Sequence, residues 1–225
     1  MDTKQVLQAR VNRKTRLDRP FANFFESFQQ CTVAAELILS GSLDPRIVSL
    51  VERSAVISSV TAIEVYYRDI LDFVFRYCKP DFFEPHLKLL YPEKLDIAEL
   101  LEAHRNNVHP LELVSSAQSF QNTDRIDRVF SKFLGNKGLW SSVLQLQVRI
   151  KDNPSTESCF VHDELVALKR IFSLRHELVH DPARRAYFSS KTLEDMWDAA
   201  HFIFGSDIVL TQVIKANRDP KMDKD

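Results

Sequence analysis

Glycine is scarce in this chain: only 4 of its 225 residues are glycine, whereas average usage would give about 16. Tight hairpins and phosphate-binding loops depend on glycine, because it adopts positive φ without steric cost. The scarcity therefore disfavours sheet-rich folds and glycine-rich nucleotide-binding loops. It favours long helices with short connections, and a hydrophobic content of 44% is sufficient for a buried core. We expect an all-α fold.

Charge, cysteine spacing and hydropathy narrow the class of protein further. The net charge is −1, so any contact with nucleic acid has to be local. Cys31, Cys78 and Cys159 lie far apart without a Cys-x-x-Cys pair, which is typical of a reducing compartment and predicts neither a disulfide nor a metal framework. The amino terminus has no apolar signal segment, and no run approaches about 20 uncharged apolar residues. We expect a cytoplasmic protein that does not associate with membranes.

The chain divides into an arm, one helical domain and a tail. Residues 1–19 carry six Lys or Arg against two acids, which predicts either a loose arm or a basic arm that contacts RNA or a partner. The domain covers residues 20–218, and its first helix ends at Gly41. A second helix begins at Asp44-Pro45 and ends before Pro80, because proline is favoured at the first helical position and beyond a helix end. Residues 219–225 form a charged tail.

Residues 80–155 differ from the segments on either side. They hold five of the nine prolines and several short amphipathic pieces, so we interpret them as an insertion of short helices. The tract "SSAQSFQNTD" predicts a polar loop, and no convincing strand is found anywhere in the chain. After the insertion, a long helix starting at "ESCF" is expected to stop at Asp181-Pro182. A last helix then follows, with Ser190 or Thr192 as its N-cap.

The stretch "LRHELVHDP" at 174–182 fits two unrelated chemical patterns. As H-E-x-x-H it offers His176 and His180 as zinc ligands and Glu177 as a base; as R-x-x-x-x-H it offers Arg175 with His180. The zinc pattern is the rarer one, expected by chance about 0.01 times against about 0.5. A third zinc ligand could come from the start of the last helix (Glu194, Asp195 and Asp198).

The surroundings of the motif nevertheless disfavour zinc. Charged residues flank it, Arg175 and Asp181, whereas the helix around a catalytic zinc is normally dry. The longer metzincin pattern would require Gly and His where Ala183 and Ala186 stand. Metalloproteases of this type also place an edge strand beside the motif helix, and none is predicted.

The helical wheel places Arg175 on the apolar face of its helix. At 100° per residue, Arg175 falls within the apolar stripe of its helix, together with Leu168, Ile171 and Phe172. A guanidinium on a buried face requires an acidic partner or an anionic ligand. Glu64 falls on the apolar arc of the second helix, so it either faces Arg175 across the bundle or lies at the edge of the groove.

Two segments resemble the HEPN superfamily of prokaryotic defence and toxin ribonucleases: "RHELVHD" at a helix end and the earlier helix "SAVISSVTAIEVYYRDIL". The HEPN signature is Arg, a polar residue, three variable residues and His, which Arg175, His176 and His180 match in order. His176 takes the less common choice at the polar position. The resemblance covers about a third of the chain and leaves residues 80–155 unexplained.

This resemblance implies an up-and-down helical bundle that dimerises, with both motifs lining one cleft. It also implies RNA cleavage without a metal or other cofactor, leaving 2′,3′-cyclic phosphate and 5′-OH ends. Arg175 would hold the phosphate, His180 would act as general base or acid, and His176 would position the substrate or assist proton transfer. A cognate antitoxin or regulator would be a further partner.

Two other functions stay open from the sequence: a HEPN-like module that dimerises or binds RNA without cleaving it, and a zinc hydrolase using His176 and His180. A second near-match, Arg105 and His109 in "HRNNVHP", is one residue short of the required spacing and is interpreted as a surface turn. His201 is interpreted as a core or dimer-face residue rather than a ligand.

Overall fold

The described part of the chain is almost entirely helical. The computed structural model describes residues 19–91, 97–106, 108–150, 153–181 and 188–221. In chain order its helices are α1 (Pro20–Leu39), α2 (Pro45–Tyr77), α3 (Pro80–Leu90), α4 (Ile97–Arg105), α5 (Pro110–Ser116), α6 (Thr123–Phe130), α7 (Leu139–Leu144), α8 (His162–His180) and α9 (Ser190–Ala216). A 3-10 helix (Ser131–Leu134) follows α6, and strands β1 (Gln147–Ile150) and β2 (Asn153–Cys159) pair between α7 and α8. The predicted all-α helical bundle is confirmed over these residues.

The bounds of the first two helices follow from local sequence signals. Asp44 caps α2 by accepting a 2.9 Å hydrogen bond from the backbone N–H of Arg46, and Pro45 occupies the first helical position, as predicted. After α1, Gly41 takes a φ of +69°, which glycine adopts without strain. None of the described helices is both long and apolar enough to span a bilayer.

The four long helices form the framework of the bundle. α1 packs on α2, α8 packs on α9, and the two pairs meet through contacts of α2 with α8 and of α1 with α9. Tyr66 and Tyr67 of α2 are completely buried at this junction. The Tyr67 hydroxyl lies 2.8 Å from Ser206 Oγ on α9, and the Tyr66 hydroxyl donates to Asp207 at 2.9 Å. These two hydrogen bonds satisfy the polar ends of otherwise apolar side chains.

The described residues between 80 and 155 contribute to the same core. Phe120, Phe130 and Trp140 surround Tyr67 with ring centroids between 5.4 and 6.2 Å away, and all three are buried. The tract predicted as a polar loop is irregular only between the end of α5 and the start of α6, and it buries Phe120, so the prediction of a polar loop was only partly correct. The block of short helices therefore covers one side of the bundle.

Three local predictions require correction. The piece "LWSSVLQLQVRI" is helical only to Leu144 and then continues as β1, where polar and apolar residues alternate with period two. The helix expected from "ESCF" onward starts at His162, because the preceding residues to Cys159 form β2. α9 is capped by Ser189, whose Oγ accepts from the Thr192 backbone N–H at 3.2 Å, one residue before the predicted cap.

Candidate active site at the end of helix α8

α8 presents Arg175 on its buried face, as the periodicity predicts. Its neighbours on that face are buried in the core: Leu168, Ile171, Phe172 and Leu178. The Arg175 side chain is only 17% exposed. A guanidinium in this position has lost most of its water, so its interactions with protein or ligand groups decide whether it is tolerated.

Glu64 on α2 is the acid that faces Arg175. Arg175 Nη2 lies 3.6 Å from Glu64 Oε1, and the Glu64 side chain is 12% exposed. Of the two placements considered for Glu64, the structure shows the one that faces Arg175, at the distance of an ion pair and not of a hydrogen bond. Within the part of the chain that the structure describes, neither Arg175 Nε nor Glu64 Oε1 has a hydrogen-bond partner. The pair neutralises charge while leaving hydrogen-bonding capacity unused.

The electrostatics of Glu64 follow from the same burial. Loss of water raises the pKa of the Glu64 carboxyl above its ordinary value, and the nearby charges of Arg175 and Arg68 only partly oppose this effect. Because ionised Glu64 is poorly stabilised in this position, it competes poorly with a more strongly acidic anion, such as a phosphate, for the guanidinium of Arg175. The arrangement thus keeps Arg175 in place without fully satisfying it.

His176 and His180 lie one helical turn apart at the end of α8. Their ring centroids are 4.4 Å apart with an interplanar angle of 55°, and both side chains are exposed to solvent. On a helix, His176 is about 100° and His180 about 140° around the axis from Arg175. The structure therefore brings the two imidazoles together on the surface, while Arg175 points towards α2. Val179, between them in the sequence, is 41% exposed.

Two residues of α2 hold the chain around the motif. Arg53 donates from Nη2 to the Leu178 carbonyl and from Nη1 to the Asp181 carbonyl at 3.4 Å, so it satisfies carbonyls that a helix end leaves free. The preceding residue, Glu52, accepts from the Phe188 backbone N–H at 3.2 Å. Sequence reasoning missed both residues, because neither belongs to a motif and their partners lie more than a hundred positions away.

The zinc interpretation finds no complete ligand set. Among the described residues, no group of three His, Cys, Asp or Glu side chains is placed to hold a metal ion. Of the three acids considered as a third ligand, Asp195 is held by Arg170, through bonds of 2.8 and 2.6 Å, and lies 3.3 Å from Lys191. Ala183 and Ala186 fall outside the described residues.

The unexpected hairpin does not supply the strand that a metalloprotease would need. β2 ends just before α8 begins at His162, whereas His176 is fourteen residues further along the helix, or about 21 Å at 1.5 Å per residue. The prediction that the chain contains no strand was wrong. The hairpin nevertheless joins the end of α8 opposite to His176 and His180.

No protein-family model, curated protein or solved structure matches this chain. The resemblance to HEPN ribonucleases therefore depends on the two segments that carry it, and what it implies about function is a proposal.

The remaining histidines of interest have structural roles. His109 caps α5, since its Nδ1 accepts from the Leu111 backbone N–H at 3.2 Å, and both it and Arg105 are exposed. Arg105 ends α4 and His109 precedes α5, while residue 107 between them lies outside the described residues and Val108 is buried. His201 stacks on Phe160 with ring centroids 4.8 Å apart, and its Nδ1 lies 2.6 Å from Glu164 Oε1.

Proposed function

We propose that this chain is a metal-independent endoribonuclease whose site is built on Arg175, His176 and His180, in a phage-defence or toxin–antitoxin system. Its substrate is RNA, its place of action is the cytoplasm, and a cognate antitoxin or regulator is a further partner. The observation that carries the proposal is Arg175: a largely buried cation with an Nε that has no hydrogen-bond partner in the described chain, on the same helix end as two exposed imidazoles.

The residues provide the groups that transesterification of RNA requires. The 2′-oxygen of the ribose forms a bond to the adjacent phosphorus, and the bond from phosphorus to the 5′-oxygen breaks. A base removes the 2′-OH proton and an acid gives a proton to the departing 5′-oxygen, which are roles that imidazole fills near neutral pH. We assign one of these proton transfers to His180 and propose that His176 assists the other. The guanidinium of Arg175 stabilises the charge that develops on the phosphate oxygens, and His176 positions the substrate.

A second copy of the chain completes the proposed site. Within one chain, Arg175 and His180 are about 140° apart around α8, so one phosphate does not meet both groups easily. His176, Val179 and His180 form an exposed surface at the helix end. Pairing of two such surfaces would place both copies of the motif along one cleft, as the resemblance to HEPN ribonucleases implies. We therefore propose that the active form is a homodimer.

The test is cleavage of labelled single-stranded and hairpin RNAs by the purified full chain in EDTA. We expect fragments with 2′,3′-cyclic phosphate and 5′-OH ends, and no cleavage of DNA of the same sequence, because DNA lacks the attacking 2′-OH. His180→Ala should lower the rate by about 10²–10⁴-fold, the usual contribution of a general acid or base. His162→Ala is the matched control, an exposed histidine at the other end of α8.

Other outcomes contradict the proposal. Equal loss of activity in Glu177→Gln, together with inactivation by EDTA and recovery with zinc, would indicate the zinc hydrolase instead. Cleavage that survives His180→Ala would show that the site lies elsewhere or that a contaminant cuts the RNA.

A non-catalytic HEPN-like module is the second candidate function, and one observation favours it. Arg175 already has an acidic partner, Glu64, which faces it across the bundle. If this pair is only structural, the exposed histidine surface serves dimerisation or RNA binding. RNA affinity without cleavage at high protein concentration, unaffected by His180→Ala, would support this alternative.

A further inference from the structure

A cavity lies away from the motif, where the start of α1 meets the carboxyl ends of α2 and α9. Its volume is about 490 Å³, within the range of about 300–1,000 Å³ that is usual for small-molecule sites. Phe73 of α2 lines it and is nine residues beyond Glu64, or about 14 Å along the helix. The cavity shares no residue with the proposed ribonuclease site.

The floor and one wall of this cavity are apolar. Ile70 and Ile214 are buried beneath it, and Phe73 and Tyr77 stand together with ring centroids 4.2 Å apart. Phe21 of α1 contributes a third ring. Flat aromatic faces of this kind favour a ligand with a planar aromatic group, because stacking adds to the binding free energy that comes from burying apolar surface.

The rim of the cavity is cationic. Arg19, Lys215 and Arg218 line it together with one carboxylate, Asp207, which gives three positive charges against one negative. Asp207 is engaged by the protein: the Tyr66 hydroxyl donates to it at 2.9 Å, and the charge of Lys215 also acts on it, although burial still raises the pKa of this carboxyl.

Backbone contacts fix the position of this rim. The Lys79 N–H donates to the Asn217 carbonyl at 2.9 Å, and the Asp219 N–H donates to the Tyr77 carbonyl at 2.8 Å. These two bonds fasten the chain on both sides of Arg218 to the end of α2. On the opposite side, α1 begins with Arg19 as an N-cap that supplies no side-chain hydrogen bond, and the positive end of the helix dipole points there.

We propose that this cavity binds a small organic anion with a planar apolar body, the rings contacting Phe73 and Tyr77 and the anionic group meeting Lys215 and its neighbouring cations. The inference does not depend on RNA cleavage.

A matched pair of dyes tests the site in the full chain. 8-Anilinonaphthalene-1-sulfonate has the required planar body and anion, and N-phenyl-1-naphthylamine has the same body without the sulfonate. We expect the anionic dye to bind at least about tenfold more tightly, as one charge-assisted contact allows. Lys215→Gln should weaken the anionic dye several-fold and leave the neutral dye unchanged. Ala22→Phe, which places a ring in the cavity from an exposed position of α1, should abolish binding of both dyes.

Arg76→Gln is the control, because Arg76 is an exposed cation next to Tyr77 in the sequence but does not line the cavity. Circular dichroism of each variant should match that of the parent protein, so that dye bound to unfolded chain is recognised. Equal affinity for both dyes, binding that persists in Ala22→Phe, or an equal loss in Arg76→Gln would each overturn the proposal. So would the absence of any binding by the folded parent protein.

Discussion

Two arginines five residues apart on α8 reach across to carboxylates on different helices, and they are satisfied to very different degrees. Arg170 meets Asp195 of α9 through two hydrogen bonds of 2.8 and 2.6 Å, with its own side chain 47% exposed. Arg175 meets Glu64 of α2 at 3.6 Å while only 17% exposed. The more deeply buried cation thus has the poorer partner, the reverse of what stability alone would favour.

The difference separates a structural contact from a candidate functional one. In the bidentate pair both carboxylate oxygens of Asp195 accept from Arg170, and the remaining N–H groups of Arg170 can bind water because its side chain is 47% exposed. This pair fastens α8 to α9 without leaving the arginine buried and unsatisfied. Arg175 and Glu64 each retain a buried polar atom without a partner in the described chain, at a cost of about 1–3 kcal/mol for each such group. A phosphate oxygen near Arg175 would recover part of that cost.

We expect the largest difference between substitutions of the two arginines in the rate of RNA cleavage. Arg175→Ala should lower the single-turnover cleavage rate by about 10²–10³-fold, as loss of a group that stabilises charge in the transition state does. Arg170→Ala should leave the rate within about twofold, because its guanidinium is engaged with Asp195 on α9. The measurement is fragment formation from labelled RNA at saturating protein. Equal rates in the two variants would mean that the difference in pairing has no catalytic meaning.

The unfolding free energy provides the next contrast, in the absence of any RNA. Arg175→Met leaves Glu64 without its main partner in the core and should cost about 3 kcal/mol, the lower end for a broken buried pair. Arg170→Met should cost about 1 kcal/mol, because the arginine is half exposed and Lys191 stays near Asp195. Urea unfolding followed by circular dichroism checks both values. A larger loss for Arg170→Met would make that pair the main electrostatic contact of α8.

Much of this comparison was accessible from the sequence. The apolar periodicity of α8 placed Arg175 on the buried face, and the wheel of α2 suggested Glu64 as its partner. The long helices followed from Pro45, Gly41 and their caps, which are local signals. Because such signals act within a few residues, they do not depend on how the chain packs.

What the sequence did not predict depends on distant parts of the chain. Arg53 and Glu52 hold the motif from α2, and Phe120 enters the core from a tract that looks polar. The strand Gln147–Ile150 is too short for periodicity to distinguish it from a helix. The pair of Arg170 and Asp195 was not predicted, because the two residues lie on different helices and belong to no motif.

A double substitution at Glu64 and Arg175 tests whether charge or packing stabilises this pair, and its expected effect on the unfolding free energy is smaller. Glu64→Leu combined with Arg175→Met should return the unfolding free energy to within about 1 kcal/mol of the parent protein or above it, because apolar residues of similar volume often replace a buried ion pair without loss. The single Arg175→Met is the reference, and urea unfolding gives both values. If the double variant is as unstable as the single one, packing of the guanidinium rather than its charge stabilises this site.

The pH dependence of stability is the smallest expected effect, and it has opposite signs at the two pairs. At Asp195, burial works to raise the pKa, but the hydrogen bonds and charge of Arg170, followed by Lys191, outweigh it and the pKa lies below the ordinary value. Stability from this group is therefore present above the ordinary carboxyl range and is lost as the pH falls. At Glu64, burial prevails over Arg175 and Arg68, and the pKa is raised. Stability from Glu64 is present at low pH and is lost as the pH rises through that pKa.

Two non-titrating variants measure these slopes separately. In urea unfolding between about pH 3 and pH 8, a range that spans the ordinary carboxyl values, the destabilisation caused by Asp195→Asn should shrink on acidification. Glu64→Gln should gain stability relative to the parent protein as the pH rises, because only the parent must ionise a buried carboxyl. Parallel slopes for the two variants would mean that Glu64 is as well paired as Asp195. The unused hydrogen-bonding capacity of Arg175 would then offer no reason to expect a phosphate there.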